Sequence, residues 1–302
     1  MAELPIPADV LAFVTEVFRH CNQRITEKLS RNPNIPEESL DLTWIEHLSR
    51  YSSARVLPSN WTVKIDVHYL GGLRHYFRWE IADVGVLLFI RRGGKIERSK
   101  VGLLQSKRLY PTTGTVEEEG KVDYEVGFGR LADPEVLAQS IVVEAEFNFS
   151  SECRYGALIA KSEQVKAITD YETTNKVRVY YQFYNPYGLP FVQRVPVSAA
   201  DGGANEVAVG VRVVPATLVH AFLAKQAKGY RPTFEDLASL VGDKNSGGWP
   251  LQHFVAGLFL TCKEGSPFDS VADGRIQNLF YRRSGPIAAA IAIVIEAPEA
   301  AG

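Results

Sequence analysis

Two consecutive β-segments, joined by a polar loop that contains two glycines, constrain the fold of this 302-residue chain more than any other feature. The first segment, residues 77–90 (FRWEIADVGVLLFI), ends in a run that is apolar on both faces, as expected of a strand in the centre of a sheet. After the loop RRGGKIER, residues 100–108 (KVGLLQSKR) form the next strand, which ends before Pro111. We therefore expect these two strands to be neighbours in a central sheet.

The other periodicities predict an α/β chain in which helices precede and follow these strands. Apolar residues recur at helical spacing near the N-terminus, and period-two alternation marks residues 61–70 as a strand. With a polar excursion at 112–150 set aside, the order is helix, three strands, helix, strand, followed by a C-terminal α+β region. The predicted helices span about residues 8–30, 37–51, 134–139, 158–171, 215–228 and 250–260, and the further strands span 141–149, 176–184, 207–214 and 286–297.

Composition and charge exclude several classes of protein. The chain is 46% hydrophobic and 23% charged, which is close to the average of globular proteins and excludes disordered, collagen-like and coiled-coil chains. Its formal net charge of −2 excludes a globally basic nucleic-acid coat protein, although a local basic patch remains compatible with it. Three widely separated cysteines, Cys21, Cys153 and Cys262, indicate a reducing compartment rather than a disulfide scaffold or a zinc site.

We expect a cytoplasmic protein without a membrane span. The N-terminus carries acidic residues where a signal peptide has basic ones. The most apolar stretch, residues 286–297, is shorter than the roughly 20 residues that cross a bilayer.

Polar residues interrupt the second central strand at Gln105, Ser106 and Lys107. Residues two apart in a strand point to the same side, so Gln105 and Lys107 face one way and Ser106 the other. Polar groups in a buried strand are costly without partners. An acid at the start of the preceding strand, Asp83, supplies one, and metal-dependent phosphodiester cleavage uses this combination of acid, amide and ammonium.

At these residues the chain resembles the PD-(D/E)xK nuclease superfamily, whose pattern is an aspartate, a loop, and then an acid-x-lysine on the next strand. Here the pattern is Asp83 followed by Gln105-Ser106-Lys107, similar to the Gln-x-Lys variant of Mrr-type endonucleases. The resemblance covers about residues 35–185 and implies a restriction-endonuclease-like mixed central sheet flanked by helices. The predicted domains are a core at 1–188, with an insertion at about 112–150, and an accessory α+β region at 189–302.

The resemblance also implies a site. Asp83, Gln105 and an acid of the preceding helix would bind Mg²⁺ or Mn²⁺, and Lys107 would assist the attacking water. Glu38 is the best match for the helical acid and Glu37 the weaker one. Because Gln105 carries no charge, metal affinity should be lower than with two carboxylates.

Two registers of the paired strands are possible, and they place different acids opposite Lys107. A turn at Gly93-Gly94 would bring Glu80 opposite Lys107 and place Asp83 on the other face of the sheet. A loop centred at residues 94–96 would bring Asp83 opposite Lys107 instead. We favour Asp83 and keep Glu80 as the alternative.

Basic residues surround this pattern. Between residues 91 and 108 seven Lys or Arg side chains accompany one acid, Glu97, which suits either phosphate binding or a polar hairpin. The residues predicted to contact nucleic acid are Lys100, Arg108, Lys161 and Gln164.

The sequence therefore predicts a Mg²⁺-dependent endonuclease that acts on DNA, and the resemblance suggests restriction or anti-phage defence. Because a free nuclease would be toxic, we expect control by a regulatory or defence-system protein partner; a homodimer is compatible with this. The alternative is a catalytically inactive nuclease-fold protein that binds nucleic acid or a partner, which Gln105 in place of an acid favours. A third hypothesis is that residues 190–302 sense a small ligand or a protein.

Overall fold

The computed structural model describes residues 5–70, 81–114, 145–195, 209–242, 248–280 and 287–299. The fold is mixed α/β, with a central nine-stranded sheet flanked by helices and a second, three-stranded sheet. The strands of the larger sheet are β1 (Arg55–Val56), β2 (Thr62–Tyr69), β3 (Ala82–Arg92), β4 (Lys95–Arg108), β7 (Val179–Tyr184), β9 (Arg212–Pro215), β10 (Trp249–Pro250), β11 (Ser266–Pro267) and β12 (Ile287–Ala297). The smaller sheet contains β5 (Thr112–Gly114), β6 (Ala145–Phe149) and β8 (Phe191–Val195).

Strand order in the central sheet is β1-β2-β12-β3-β4-β7-β9-β10. The pairs β12–β3 and β4–β7 are parallel, whereas β3 and β4 form an antiparallel hairpin. The C-terminal strand β12 thus lies between β2 and β3, where Ile291, Ile293 and Ile295 are fully buried. The domain division at residue 188 stays a prediction, but residues on both sides of it contribute strands to one sheet.

Strand β4 has different neighbours along its length. One edge pairs with β3, while the other pairs with β11 at Lys100 and Val101 and with β7 from Leu103 onward. Its two halves therefore lie in different surroundings.

The helices surround this sheet. They are α1 (Ala8–Arg31), α2 (Glu37–Leu48), α3 (Glu163–Asn175), α4 (Ala216–Leu223), α5 (Phe234–Val241) and α6 (Gly274–Phe280), with a 3-10 turn at Ser49–Tyr51 and a π-helical segment at His253–Phe259. Helix α1 buries Val10, Val14 and Val17 along one stripe, as its apolar spacing predicts. None of the described helices combines the length and the apolar character that crossing a bilayer requires.

Most of the predicted elements are confirmed, with shifts at several boundaries. Helices α5 and α6 and the short strands β1, β5, β8, β10 and β11 were not predicted. Helix α1 and strand β2 match their predicted spans within one residue at each end. Helix α3 begins at Glu163 rather than 158, because Ser162 caps it by accepting a hydrogen bond from the Val165 N–H. Lys161, which was expected on this helix, precedes it with a positive φ of 56°. The predicted helix at 134–139, the predicted strand residues 141–144, and Glu80 lie outside the described residues.

A β-bulge sets the register of the central hairpin. Gly93 and Gly94 form the turn, with φ of 53° and 76°, and strand β4 therefore begins five residues earlier than predicted. Without any further irregularity, this turn would place Asp83 and Lys107 on different faces of the sheet. However, Ile90 pairs with Arg98 and Arg91 pairs with Ile96, so Glu97 is an extra residue on β4. The one-residue shift brings Asp83 into line with Gln105, so the prediction that Asp83 lies opposite Lys107 is wrong by two residues.

Two helices meet opposite faces of β4. The Ser106 hydroxyl bonds to Asp41 of α2, whereas the Gln105 amide bonds to Gln164 of α3. Because adjacent strand residues point to opposite faces, Asp41 and Gln164 lie on the two sides of the sheet. The first turn of α2 also reaches the Gln105 side, where Glu37 contacts Lys107.

Candidate functional site

Asp83 and Gln105 are brought together at the ends of neighbouring strands. Asp83 is the second residue of β3 and is 8% exposed. Its Oδ2 accepts hydrogen bonds from Gln105 Nε2 at 2.6 Å and from the Ser106 N–H at 2.7 Å. The carboxylate therefore contacts both the side chain and the backbone of the Gln-x-Lys segment.

The carboxamide of Gln105 is held from both sides. While Nε2 donates to Asp83, Oε1 accepts a hydrogen bond from Gln164 Nε2 at 3.3 Å. The structure thus places Gln164, which was predicted to contact nucleic acid, against Gln105. Together the two contacts orient the amide.

The helical acid at Lys107 is Glu37 rather than Glu38. Lys107 is 3% exposed, and its Nζ lies 3.3 Å from Glu37 Oε1 and 2.7 Å from the Ser106 carbonyl oxygen. Glu37 Oε2 also accepts the Arg108 N–H at 2.9 Å. Successive helical residues point about 100° apart, so only one of the two glutamates can face the strand. Glu38 is exposed.

A further carboxylate, Asp41, belongs to the site and was not predicted from the sequence. It lies one helical turn after Glu37 on α2, and its Oδ1 accepts the Ser106 hydroxyl at 2.6 Å and the Tyr184 hydroxyl at 2.5 Å. The i, i+4 spacing of the two acids, in a helix whose buried face is mostly apolar, was the available signal.

The acids of the site act on one another. Burial raises the pKa of Glu37, the charge of Asp83 raises it further, and Lys107 opposes both effects. Burial and then the charge of Asp83 raise the pKa of Asp41 well above its usual value. Buried Asp41 and partly buried Glu37, whose side chain is 16% exposed, thus both experience the charge of Asp83, and such a cluster favours a cation.

The donor set suits a hard divalent ion that keeps most of its water. Within the described residues, no three His, Cys, Asp or Glu side chains form a group able to hold a metal by themselves. Mg²⁺, however, is usually bound through one or two carboxylates and retained waters. Asp83 and Glu37 supply carboxylate oxygens of this kind, so these two acids with retained waters fit a weakly held ion. The Gln105 carboxamide, which was predicted to be a third ligand, instead turns its Nε2 toward Asp83 and its Oε1 toward Gln164.

The other residues predicted to contact nucleic acid lie in different environments. Arg108 is buried; its guanidinium donates to the Ile35 carbonyl and lies 4.0 Å above the Tyr110 ring. Lys161 is exposed. Lys100 is buried in the other half of β4, five residues before Gln105 and therefore roughly 17 Å along the strand.

Comparisons of the chain with protein-family models, with curated proteins and with solved structures found no match in any of the three. The geometry around Asp83 is therefore what supports a functional assignment.

Proposed function

We propose that this protein is a metal-dependent nuclease that hydrolyses DNA phosphodiester bonds with Mg²⁺ or Mn²⁺. One observation carries the proposal: the Asp83–Gln105 contact and the Lys107–Glu37 ion pair lie side by side at the ends of β3 and β4. An acid, an amide and an ammonium in this arrangement match the chemistry that the sequence pattern predicts.

The residues take distinct roles in this proposal. Asp83 and Glu37 would hold the ion, which when bound polarises the scissile phosphate and lowers the pKa of a water. Gln105 would orient the Asp83 carboxylate through the hydrogen bond from its Nε2. Lys107 would orient the attacking water or stabilise the charge that develops on the phosphate oxygens. Its ammonium is already positioned by Glu37 and by the Ser106 carbonyl.

Asp41 is a positioning residue. It receives hydrogen bonds from Ser106 and Tyr184, which belong to two neighbouring strands, β4 and β7. These bonds fix the strand ends that carry Gln105 and Lys107.

The test uses supercoiled plasmid with Mg²⁺ or Mn²⁺ and purified full-length protein. We compare the wild type with Asp83→Ala and Lys107→Met. Matched controls are Asp66→Asn and Lys64→Met, because these side chains form a partly exposed 2.8 Å ion pair on β2. Loss of cleavage in the first two variants alone supports the assignment, whereas wild-type cleavage in both refutes it.

A catalytically inactive, nuclease-fold binding protein is the second candidate. The observation that favours it is that these polar groups already have hydrogen-bond partners within the protein. Lys107 bonds to Glu37 and Ser106, and Gln105 bonds to Asp83 and Gln164. Intact DNA binding without cleavage under any metal condition would support this candidate.

The proposal also includes the biological role and the location of the protein. A role in restriction or anti-phage defence, control by a protein partner, a homodimer and a cytoplasmic location are expectations from the sequence and from the resemblance. They can be tested once cleavage is measured.

A further inference from the structure

A pocket of about 570 Å³ lies beside the first half of β4, away from the Asp83 site. Three segments form it: the start of β4, the residue before β7, and the loop around β11. This volume falls within the range of small-molecule sites. Its lining includes Arg98, Lys100, Arg178, Cys262, Lys263 and Phe268.

Lys100 is the most unusual group in this pocket. It is 5% exposed, and its Nζ donates to the backbone carbonyl of Glu264 and lies 5.9 Å from the centre of the Phe259 ring. Among the described residues, no carboxylate lies within 4 Å of Nζ. Burial lowers the pKa of Lys100. The nearby Glu264 carboxylate favours the ammonium, but it already accepts hydrogen bonds from Arg178 and Tyr180. A buried ammonium without a carboxylate in direct contact is costly, and an anion would relieve that cost.

The surrounding charges leave a cationic excess. Arg98 Nη1 contacts Cys262 Sγ at 3.8 Å, and Arg178 shares Glu264 with the Tyr180 hydroxyl. One acid of the lining, Glu97, instead faces Arg92 at 3.8 Å. Four basic residues line the pocket against two acids, Glu97 and Asp269.

We propose that this pocket binds a small phosphate-bearing molecule of nucleotide size. Lys100 and Arg98 contact its phosphate oxygens, because ammonium and guanidinium groups form the strong, charge-assisted hydrogen bonds that phosphate accepts. Phe268, which is buried in the lining, provides an apolar wall for the rest of the molecule. This inference does not depend on the proposed nuclease function.

The experiment is calorimetric titration of the full-length protein with ATP, tripolyphosphate and adenosine. Binding of ATP and tripolyphosphate, but not adenosine, supports a phosphate site. Tighter binding of ATP than of tripolyphosphate identifies a nucleotide as the ligand, and equal binding identifies a phosphate chain. Absence of binding by both anions overturns the proposal.

Variants localise the binding to the pocket. We expect Lys100→Met to weaken ATP binding by about 10- to 100-fold, as for loss of a charged hydrogen bond, and Arg98→Gln to weaken it less. Lys95→Met, which removes an exposed charge at the tip of the same hairpin, should bind as the wild type does. Wild-type affinity in Lys100→Met overturns the proposal.

Two further measurements separate the loss of a phosphate contact from misfolding and from DNA binding. Thermal melting should show Lys100→Met folded and no less stable than the wild type, because the buried charge is removed together with its cost. Binding of a short DNA duplex is measured in parallel. If Lys100→Met weakens DNA binding while the wild type does not bind ATP, the pocket belongs to a nucleic-acid surface and the small-molecule proposal fails.

Discussion

The two halves of strand β4 each bury a lysine, and they differ in what neutralises it. Lys107 is 3% exposed and pairs with Glu37, whereas Lys100 is 5% exposed and contacts a backbone carbonyl and an aromatic ring. The difference arises from the neighbouring elements, since α2 meets one end of the strand and the loop around β11 meets the other. A buried ammonium can therefore be either a balanced part of a polar network or a receptor for an external anion.

The largest effect that we expect concerns cleavage at the Asp83 end. Asp83→Ala removes the acceptor of Gln105 and Ser106 and a proposed ion ligand. Plasmid cleavage should fall about 1000-fold, the scale of losing a central electrostatic group. Asp66→Asn on β2 is the control. A loss of less than about tenfold in Asp83→Ala would remove this end of β4 from catalysis.

The second prediction compares the stabilities of the two lysine variants directly. Lys107→Met leaves Glu37 buried without its cation and should lower the free energy of unfolding by about 3 kcal/mol. Lys100→Met removes an ammonium that no carboxylate contacts directly, and it should leave that free energy unchanged or raised. Urea denaturation measures both. Equal losses of unfolding free energy in the two variants would mean that the two lysines do not differ in how their charges are neutralised.

The third prediction concerns pH and Asp41. Its pKa is raised in the folded state, so the folded protein favours the protonated form. The corresponding stability is fully present below about pH 4 and is lost as pH rises through the folded pKa. Asp41→Asn keeps the acceptor oxygen and abolishes this dependence. Its stability relative to the wild type should therefore increase as pH rises above about 4.

Denaturation of both proteins at a series of pH values checks this. Parallel curves would show that neither burial nor the charge of Asp83 raises the pKa of Asp41 in the folded protein. Addition of Mg²⁺ sharpens the test, because an ion bound at the site would favour the charged carboxylates and reduce the difference between the two curves.

The smallest effect is expected at Glu38. Because this side chain is exposed, Glu38→Gln should change the free energy of unfolding by less than about 0.5 kcal/mol and leave cleavage unaltered. Glu37→Gln, the matched variant one residue earlier, should reduce cleavage at least about tenfold by removing a proposed ion ligand. The opposite order of effects would restore Glu38 as the functional acid.

Much of the candidate site could be predicted because its pattern is local. An acid before a buried strand and a Gln-x-Lys on the next strand are visible in the sequence, and Asp83 and Gln105 do lie together. The choice between Glu37 and Glu38 could not be made, because it depends on how α2 is rotated about its axis against β4. Asp41 was missed for the same reason.

The hairpin of β3 and β4 shows which of its features the sequence predicts and which depend on the structure. The glycine pair indicates a turn, but the face on which Asp83 lies depends on the extra residue Glu97, which a turn prediction does not include.

By itself, the sequence determined most of the longer helices and strands, since hydrophobic periodicity depends on residues only a few positions apart. Only the tertiary structure decided that β12 lies between β2 and β3 and that the segment at 262–268 covers Lys100. These contacts join residues far apart in the chain, and they depend on how whole surfaces pack.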